Sequence, residues 1–239
     1  MTPSLRIDIW SDIACPWCYV GKRRLEAALA SFPHREAVHV TWHSFQLDPS
    51  APRSLTGQRS YAERLAAKYG VSPAQGQAMI SRMTQTAAQD GLAMDFERIR
   101  PGNTFDAHRL LHLAKQHGSQ DALEERLFSA YLCEGQPIGE PEVLLRLAEQ
   151  AGLDVDDAQG VLAGDAYAAE VRADIAQARA LGVSGVPFFL VGERYAVAGA
   201  QSPETLLAVL TRCWDEASGP DLPTQGDACG PDGCGPGGG

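Results

Sequence analysis

No apolar run in this sequence approaches the roughly 18 residues that a membrane span needs. The opening residues, Met1 to Arg6, hold no basic segment leading into an apolar one. Neither a membrane anchor nor a secretory leader is therefore expected, and the protein is expected in the cytoplasm. Positive charge is also scarce. There are 20 Lys and Arg against 30 Asp and Glu, a net charge of −10. Nonspecific nucleic-acid binding needs a basic surface, so that class is excluded. The shortage is sharpest in residues 215–239, which have no Lys or Arg but hold Asp215, Glu216, Asp221, Asp227 and Asp232. The same 25 residues contain eight Gly and four Pro, so they have little to bury and are expected to form a mobile tail.

What remains is substantial. The 239 residues are 44% apolar, enough for one large domain or a domain with a sizeable insertion. Six cysteines in a reducing compartment suggest redox or metal chemistry more than structural cross-links. Two of them form Cys15-Pro16-Trp17-Cys18. This motif follows an alternating segment, Leu5 to Trp10, that reads as a strand. It precedes Leu25, Ala28, Leu29 and Phe32, which recur at helical spacing. A strand-to-helix position gives the first cysteine free backbone N–H groups and the positive end of a helix dipole, both of which favour a thiolate. Pro16 suits the first helical turn, where its missing N–H costs nothing. Two intervening residues let the second thiol reach the first, so the pair can close and reopen. The same spacing also serves as half a zinc site, or as two inert buried thiols.

Val38 to His43 alternates and reads as a second strand, with His39, Thr41 and His43 forming a polar face rather than a metal pair. Residues from about 60 to 180 read as helices, punctuated by Gly70, Gly91, Gly118 and Gly152. Within them, Asn103 is suited to cap a helix with Asp106 in its first turn, and His108 and Arg109 follow on that helix. His112 lies four residues after His108, but no third ligand stands at matching spacing. Cys133 and Cys213 read as packed thiols. Gly182 to Val191 is a loop with Val186-Pro187 entering an apolar strand, Tyr195 to Ala198 returns, and Ser202-Pro203 starts a last helix ended by Cys213 and Trp214. The tail then presents Cys229-Gly230-Pro231-Asp232-Gly233-Cys234, two cysteines with no core to serve, in a segment able to turn tightly.

The order is strand, C-x-x-C helix, strand, helical insertion, Val-Pro, two strands and a helix. It resembles the thioredoxin fold with the helical insertion of the DsbA family, and within that family the FrnE-like branch. The matching stretches are Cys15 to Cys18, Phe45-Gln46-Leu47-Asp48-Pro49, Asn103-Thr104 with Ala107-His108-Arg109, Gly182 to Phe189, and Gly199-Ala200-Gln201. The C-terminal C-x₄-C looks like that of the Deinococcus FrnE type. The resemblance implies an α/β protein with a thioredoxin domain from residues 1–55 and 180–214, a helical domain over 56–179, and a redox tail over 215–239. It implies that Cys15 is the exposed nucleophile and Cys18 the resolving thiol. It implies that Pro187 is a cis-proline that sets the Val186 backbone beside the active pair, where an extended substrate can add as a strand. Trp17, Asn103, His108 and Arg109 are the further substrate-groove residues it suggests. Trp17 stands where DsbA has a His that favours the thiolate, so a less oxidising couple is expected.

The expected activity is thiol–disulfide exchange, with isomerisation as an extension, on proteins bearing thiols or disulfides. A role in oxidative or metal stress is expected, with no bound cofactor or metal, and with thioredoxin or glutathione as electron partner. Cys229 and Cys234 would form an auxiliary pair exchanging with Cys15 and Cys18. Fully extended, residues 215–228 reach about 46 Å, enough to double back across a body of radius of gyration near 17 Å. A Cys₄ metal site made from both pairs, or a metal-buffering protein, is the weaker reading of the same cysteines. The main rival is a glutathione-dependent small-molecule enzyme, of the kappa glutathione transferase or 2-hydroxychromene-2-carboxylate isomerase type. Those enzymes typically place Ser where this chain has Cys15.

Overall fold

The computed structural model describes residues 4–54 and 59–218. Among these, four strands form one sheet in the order β2-β1-β3-β4. β1 (Leu5–Ser11) pairs in parallel with β2 (Val38–Ser44), Ile9 lying opposite Trp42 and Trp10 opposite His43. On its other side β1 pairs antiparallel with β3 (Phe188–Val191), which pairs antiparallel with β4 (Tyr195–Ala198). A parallel pair needs a crossover, and α1 (Pro16–Ala30) supplies it. The fold is a thioredoxin-type α/β sheet with a large helical insertion, as expected.

The period of two along β1 sorts its side chains to two faces. Leu5, Ile7 and Ile9 meet Leu25 and Ala28 of α1 and Phe32 just beyond it, together with Leu206 and Leu210 of α9 (Pro203–Ser218). Each such fully buried side chain contributes about 1.5–3 kcal/mol. The other face carries Trp10, which packs on Ala178 of α8 (Ala168–Ala180). It also carries a buried polar cluster that ties sheet to insertion. His43 Nε2 lies 2.7 Å from Asp8 Oδ1, and its Nδ1 lies 2.8 Å from Asp174 Oδ1 on α8. Asp174 Oδ2 takes the Ser44 N–H at 2.9 Å and lies 3.0 Å from His112 Nε2, while the Trp10 indole N–H reaches the Asp174 carbonyl at 3.1 Å. The expected polar strand face thus holds, exposed at His39 and buried at His43. The insertion covers that residue, and two carboxylates satisfy its ring nitrogens.

The insertion comprises α2 (Tyr61–Tyr69), α3 (Pro73–Gln89), α4 (Phe105–Gln116), α5 (Gln120–Phe128), α6 (Pro141–Gln150), α7 (Val155–Ala163) and α8. Ser60 and Ser72 each head a capping box, with Glu63 and Gln75 respectively. One π-helical turn, Ser129–Cys133, extends α5. The core is built from Leu110, Leu123, Leu127, Phe128, Leu144 and Leu147. Cys15 and Cys18 belong to this same cluster, so the insertion packs directly on the C-x-x-C. Two local readings change. Cys133 is only half-buried, because the π turn carries it to the rim. α9 runs on through Ser218 rather than ending at Trp214, since Glu216 accepts hydrogen bonds from Arg212 and the Tyr195 hydroxyl. Cys213 is packed as expected, its thiol 3.7 Å from the Val191 carbonyl.

Candidate active site

Chain reversal after β1 creates the site. Ser11 and Asp12 leave the strand, the Cys15 N–H bonds the Asp12 carbonyl at 2.9 Å, and the Cys18 N–H bonds the Cys15 carbonyl at 3.0 Å. Cys15 is therefore the N-cap of α1, in extended conformation, with Pro16 in the first turn. Asp12 is 1% exposed, and its side chain accepts from the Ala14 and Leu47 N–H groups at 3.3 and 2.8 Å. These bonds hold the motif and the 45–51 loop in one piece.

The Val186–Pro187 bond is cis, and the Cys15 thiol donates to the Val186 carbonyl at 3.4 Å. The space beside Pro187 is tight. A Cβ on Gly21, one turn into α1, would lie 2.9 Å from Pro187 Cγ and 3.3 Å from Phe189 Cζ. Only glycine lets the helix approach the proline loop this closely. Trp17 projects beside the motif at 42% exposure. Cys15 itself is only 4% exposed and Cys18 is fully buried. The expectation of an exposed nucleophile is thus corrected: Cys15 belongs to the buried cluster of the insertion, against which Tyr61 and Val186 also pack.

Cys15 and Cys18 are free thiols. Burial pushes the Cys18 thiol well above its ordinary range, and the adjacent Cys15 adds to the effect; contacts from the Asp12 backbone and the Ser11 hydroxyl act the other way. Behind them, the Ser11 hydroxyl donates to Glu124 Oε1 of α5 at 2.9 Å. Glu124 is 1% exposed and its Oε2 has no partner among the described residues. Burial pushes its carboxyl up to about 7, with His108 opposing that rise.

Of the remaining expected residues, His108 and Arg109 are buried and Asn103 is half-buried. His108 is 1% exposed, its Nε2 3.6 Å from Asp12 Oδ1. Arg109 is 5% exposed; it donates to the Ala166 carbonyl at 2.8 Å, to Asp106 at 2.9 Å, and to the Val161 and Gly164 carbonyls. That guanidinium staples α4 to the α7–α8 connection. Asn103 spends its amide on the loop before it: Nδ2 donates to the Pro49 and Ala51 carbonyls, and Oδ1 accepts from Gln46 and the Phe105 N–H. α4 starts at Phe105 with Thr104 as its N-cap residue, but the capping oxygen is that of Asn103. The structure thus gathers Cys15, Trp17, Cys18, Val186 and Pro187 at one end of the sheet, with His108 beneath them. Cys229 and Cys234 lie outside the described residues. With α9 ending at Ser218, the connection to Cys229 is residues 219–228, at most about 33 Å when extended.

Ser11, Gly21 and Glu124 carried no expectation. Ser11 had a faint signal, since it lies between strand and motif. Glu124 had one too: it stands three and four residues before Leu127 and Phe128, on an otherwise apolar face. Gly21 had none, because its role depends on a loop 166 positions away.

Comparison with known proteins is consistent with this geometry. The family model of the DSBA-like thioredoxin domain matches residues 6–211. A probable DsbA oxidoreductase from Streptomyces coelicolor is 45% identical, with a TM-score of 0.84 over 98% of this chain and all of that one. Two more distant structures share the fold. One is a 2-hydroxychromene-2-carboxylate isomerase, 15% identical with a TM-score of 0.67 over 88% of this chain and 97% of that one. The other is the cytosolic disulfide reductase DsbM of Pseudomonas aeruginosa, 20% identical with a TM-score of 0.58 over 88% of this chain and 99% of that one. An isomerase and a reductase on one fold leave the chemistry to the site.

Proposed function

The chain belongs to the family of DSBA-like thioredoxin domains, and from that premise we propose that it is a thiol–disulfide oxidoreductase of protein substrates working through Cys15 and Cys18. One observation carries the reading: a C-x-x-C at a helix N-terminus whose first thiol lies 3.4 Å from the carbonyl preceding Pro187. Cys15 attacks a substrate disulfide and forms a mixed disulfide. Cys18 then attacks Cys15, closing the pair and releasing the reduced substrate. Val186 and Pro187 offer the backbone edge for an extended segment, and Trp17 supplies apolar contact. Asn103, His108 and Arg109 act by shaping this groove from beneath.

In this reading residues 1–55 and 180–214 form the redox domain, and 56–179 form the insertion that closes over it. Cys229 and Cys234 are an auxiliary pair that exchanges with the first, and glutathione or thioredoxin returns the electrons in the cytoplasm. Isomerisation of wrongly paired disulfides and service under oxidative or metal stress follow from the same chemistry. The glutathione-dependent small-molecule rival shares the fold, and the complete cysteine pair argues against it. Insulin reduction measured beside glutathione conjugation decides between them. Insulin reduction that disappears in Cys15→Ser supports the oxidoreductase; conjugation that persists in Cys18→Ser with no insulin reduction overturns it.

A further inference from the structure

The loop that follows β2 touches both the cysteine motif and a cavity. Its Leu47 N–H bonds the Asp12 carboxylate at 2.8 Å, and the Asp12 carbonyl takes the Cys15 N–H at 2.9 Å. Gln46, on one side of Leu47, and Arg53, further along the loop, line a cavity of about 460 Å³. Phe105 and Asp106 of α4 and Arg172 of α8 bound its other sides. Chain geometry through those two hydrogen bonds puts Gln46 within roughly 15 Å of Cys15.

The cavity wall is firmly held. Asn103 donates its backbone N–H to the Pro52 carbonyl at 3.0 Å and its side-chain amide to the Ala51 carbonyl at 2.8 Å. The Arg53 carbonyl sits against two glycines: a Cβ on Gly102 would lie 2.4 Å from it, and one on Gly139 1.6 Å. Only residues without a side chain allow that approach, so the Arg53 backbone is fixed where its guanidinium meets Asp106 at 3.2 Å. The Arg172 guanidinium lies over the Phe105 ring, 5.3 Å from its centroid, with no carboxylate partner among the described residues. Charge here is unbalanced. Asp106 is the only acid in the lining, and Arg53 and Arg109 already share it. Asp48, on the same loop, is engaged by the Ser50 N–H and hydroxyl at 3.1 and 2.7 Å. A concave site with excess positive charge is the exception in a chain of net charge −10.

We propose that this cavity is a substrate subsite for an acidic side chain, Asp or Glu, that lies several residues along the chain from the substrate cysteine, with Arg53 and Arg172 binding its carboxylate. The inference rests on the oxidoreductase reading of Cys15 and deepens it. The sheet order β2-β1-β3 sets the motif between the loop after β2 and Val186 before β3. A segment anchored on the Val186 backbone with its cysteine at Cys15 therefore continues towards Gln46. At about 3.3 Å per extended residue, four or five residues cover the distance. A carboxylate arriving there meets two guanidiniums, whose planar N–H pairs match its two oxygens.

The test uses the reduced full chain and peptides whose single central cysteine carries 5-thio-2-nitrobenzoate. Cys15 attacks the peptide sulfur; the Cys15–peptide disulfide forms, the bond to the nitrobenzoate sulfur breaks, and that sulfur leaves with the electron pair as a coloured thiolate. One peptide has Glu at the fourth and fifth positions before the cysteine, a second has Glu at those positions after it, and a third has Gln at all four. At low ionic strength at least one Glu peptide should react about fivefold faster than the Gln peptide, and roughly 0.5 M salt should erase most of that advantage. Arg53→Ala and Arg172→Ala should each lower the ratio. The double variant should invert it, because only repulsion by the net negative chain remains. Both side chains are exposed, and the wild-type ratio tests the subsite even without the variants. Two Glu peptides that react no faster than the Gln peptide overturn the subsite. A double variant that loses rate towards glutathione disulfide while keeping the peptide ratio assigns the cavity to glutathione carboxylates, and overturns it too. Release from every peptide no faster than with Cys15→Ser overturns the oxidoreductase reading itself.

Discussion

Glu124 makes a prediction about stability that is separate from catalysis. Its carboxyl is fully buried, bonded only to Ser11 among the described residues, and raised from 4.5 to about 7. The folded state therefore holds a proton that the unfolded chain releases between those two values. Stability from this group is full below the unfolded pKa and falls as pH rises towards the folded one. The displacement corresponds to about 3 kcal/mol. Glu124→Gln keeps the shape and removes the titration. Its stability relative to the wild-type protein should therefore improve by about 2–3 kcal/mol from pH 5 to pH 8. Taking the difference cancels every other titrating group, and Cys18, raised above its ordinary range, stays protonated throughout. Urea unfolding of both reduced proteins at four pH values in that interval measures it, with equal m-values as the check on two-state behaviour. A difference that stays constant to within about 0.5 kcal/mol across the window would show that Glu124 is not held neutral, and the argument from burial would fail.

Asp174 should behave in the opposite sense. Burial alone would raise its carboxyl, but hydrogen bonds from His112 and His43 hold it well below the usual range, so its contribution is present above about pH 4 and is lost as pH falls further. Asp174→Asn should cost about 3 kcal/mol at pH 7, with the deficit narrowing only under strong acid in the same urea assay; an unchanged midpoint at pH 7 would count against it. Gly21→Ala forces Pro187 or the helix to move, at a cost of about 1–3 kcal/mol of overpacking against about 1 kcal/mol regained in helix propensity. A rise in melting temperature would contradict the close approach. Trp17 brings no charge to the Cys15 thiolate, so a glutathione titration should place the couple below roughly −120 mV, the value of DsbA. Finally, Cys18→Ser should trap Cys15 in mixed disulfides, some of them with Cys229 or Cys234; peptide mapping that never finds such a link would remove the auxiliary pair.

Much of the framework was legible because its signals are local. The alternation of Leu5 to Trp10, the C-x-x-C with Pro16, and the proline before Phe188 each declare their elements within a few residues. They yielded the sheet and α1, whereas the cis bond at Val186–Pro187 came only from what the family resemblance implies. What was not legible depends on partners distant in sequence. His43 reads as one member of a polar strand face until α8 arrives, 131 positions later, with Asp174. Asn103 reads as a helix cap, and its amide does serve Phe105, but most of its bonds go to a loop some fifty residues earlier. Arg109 is expected at the substrate groove, on the resemblance alone. Only the fold shows three carbonyls and Asp106 converging on it.

These distant partners share an origin. Glu124, His108, His112 and Asp174 all belong to the insertion, while the groups they meet, Ser11, Asp12, Asp8 and His43, lie on or just beyond β1 and β2. The apolar cluster that α1 and α9 form with the sheet contains none of them. A cover needed only to exclude water would be cheaper built from apolar side chains, since each buried polar group must be matched or left at a cost. The insertion instead brings carboxylates and imidazoles to two points. One is fully bonded around Asp174 and fixes how the insertion sits on the sheet. The other, around Glu124, leaves Glu124 Oε2 and His108 Nε2 without a hydrogen-bond partner among the described residues. Saturation at the first point and incompleteness at the second separate a cluster that fixes the insertion on the sheet from one left with unmatched polar atoms beside the cysteine pair.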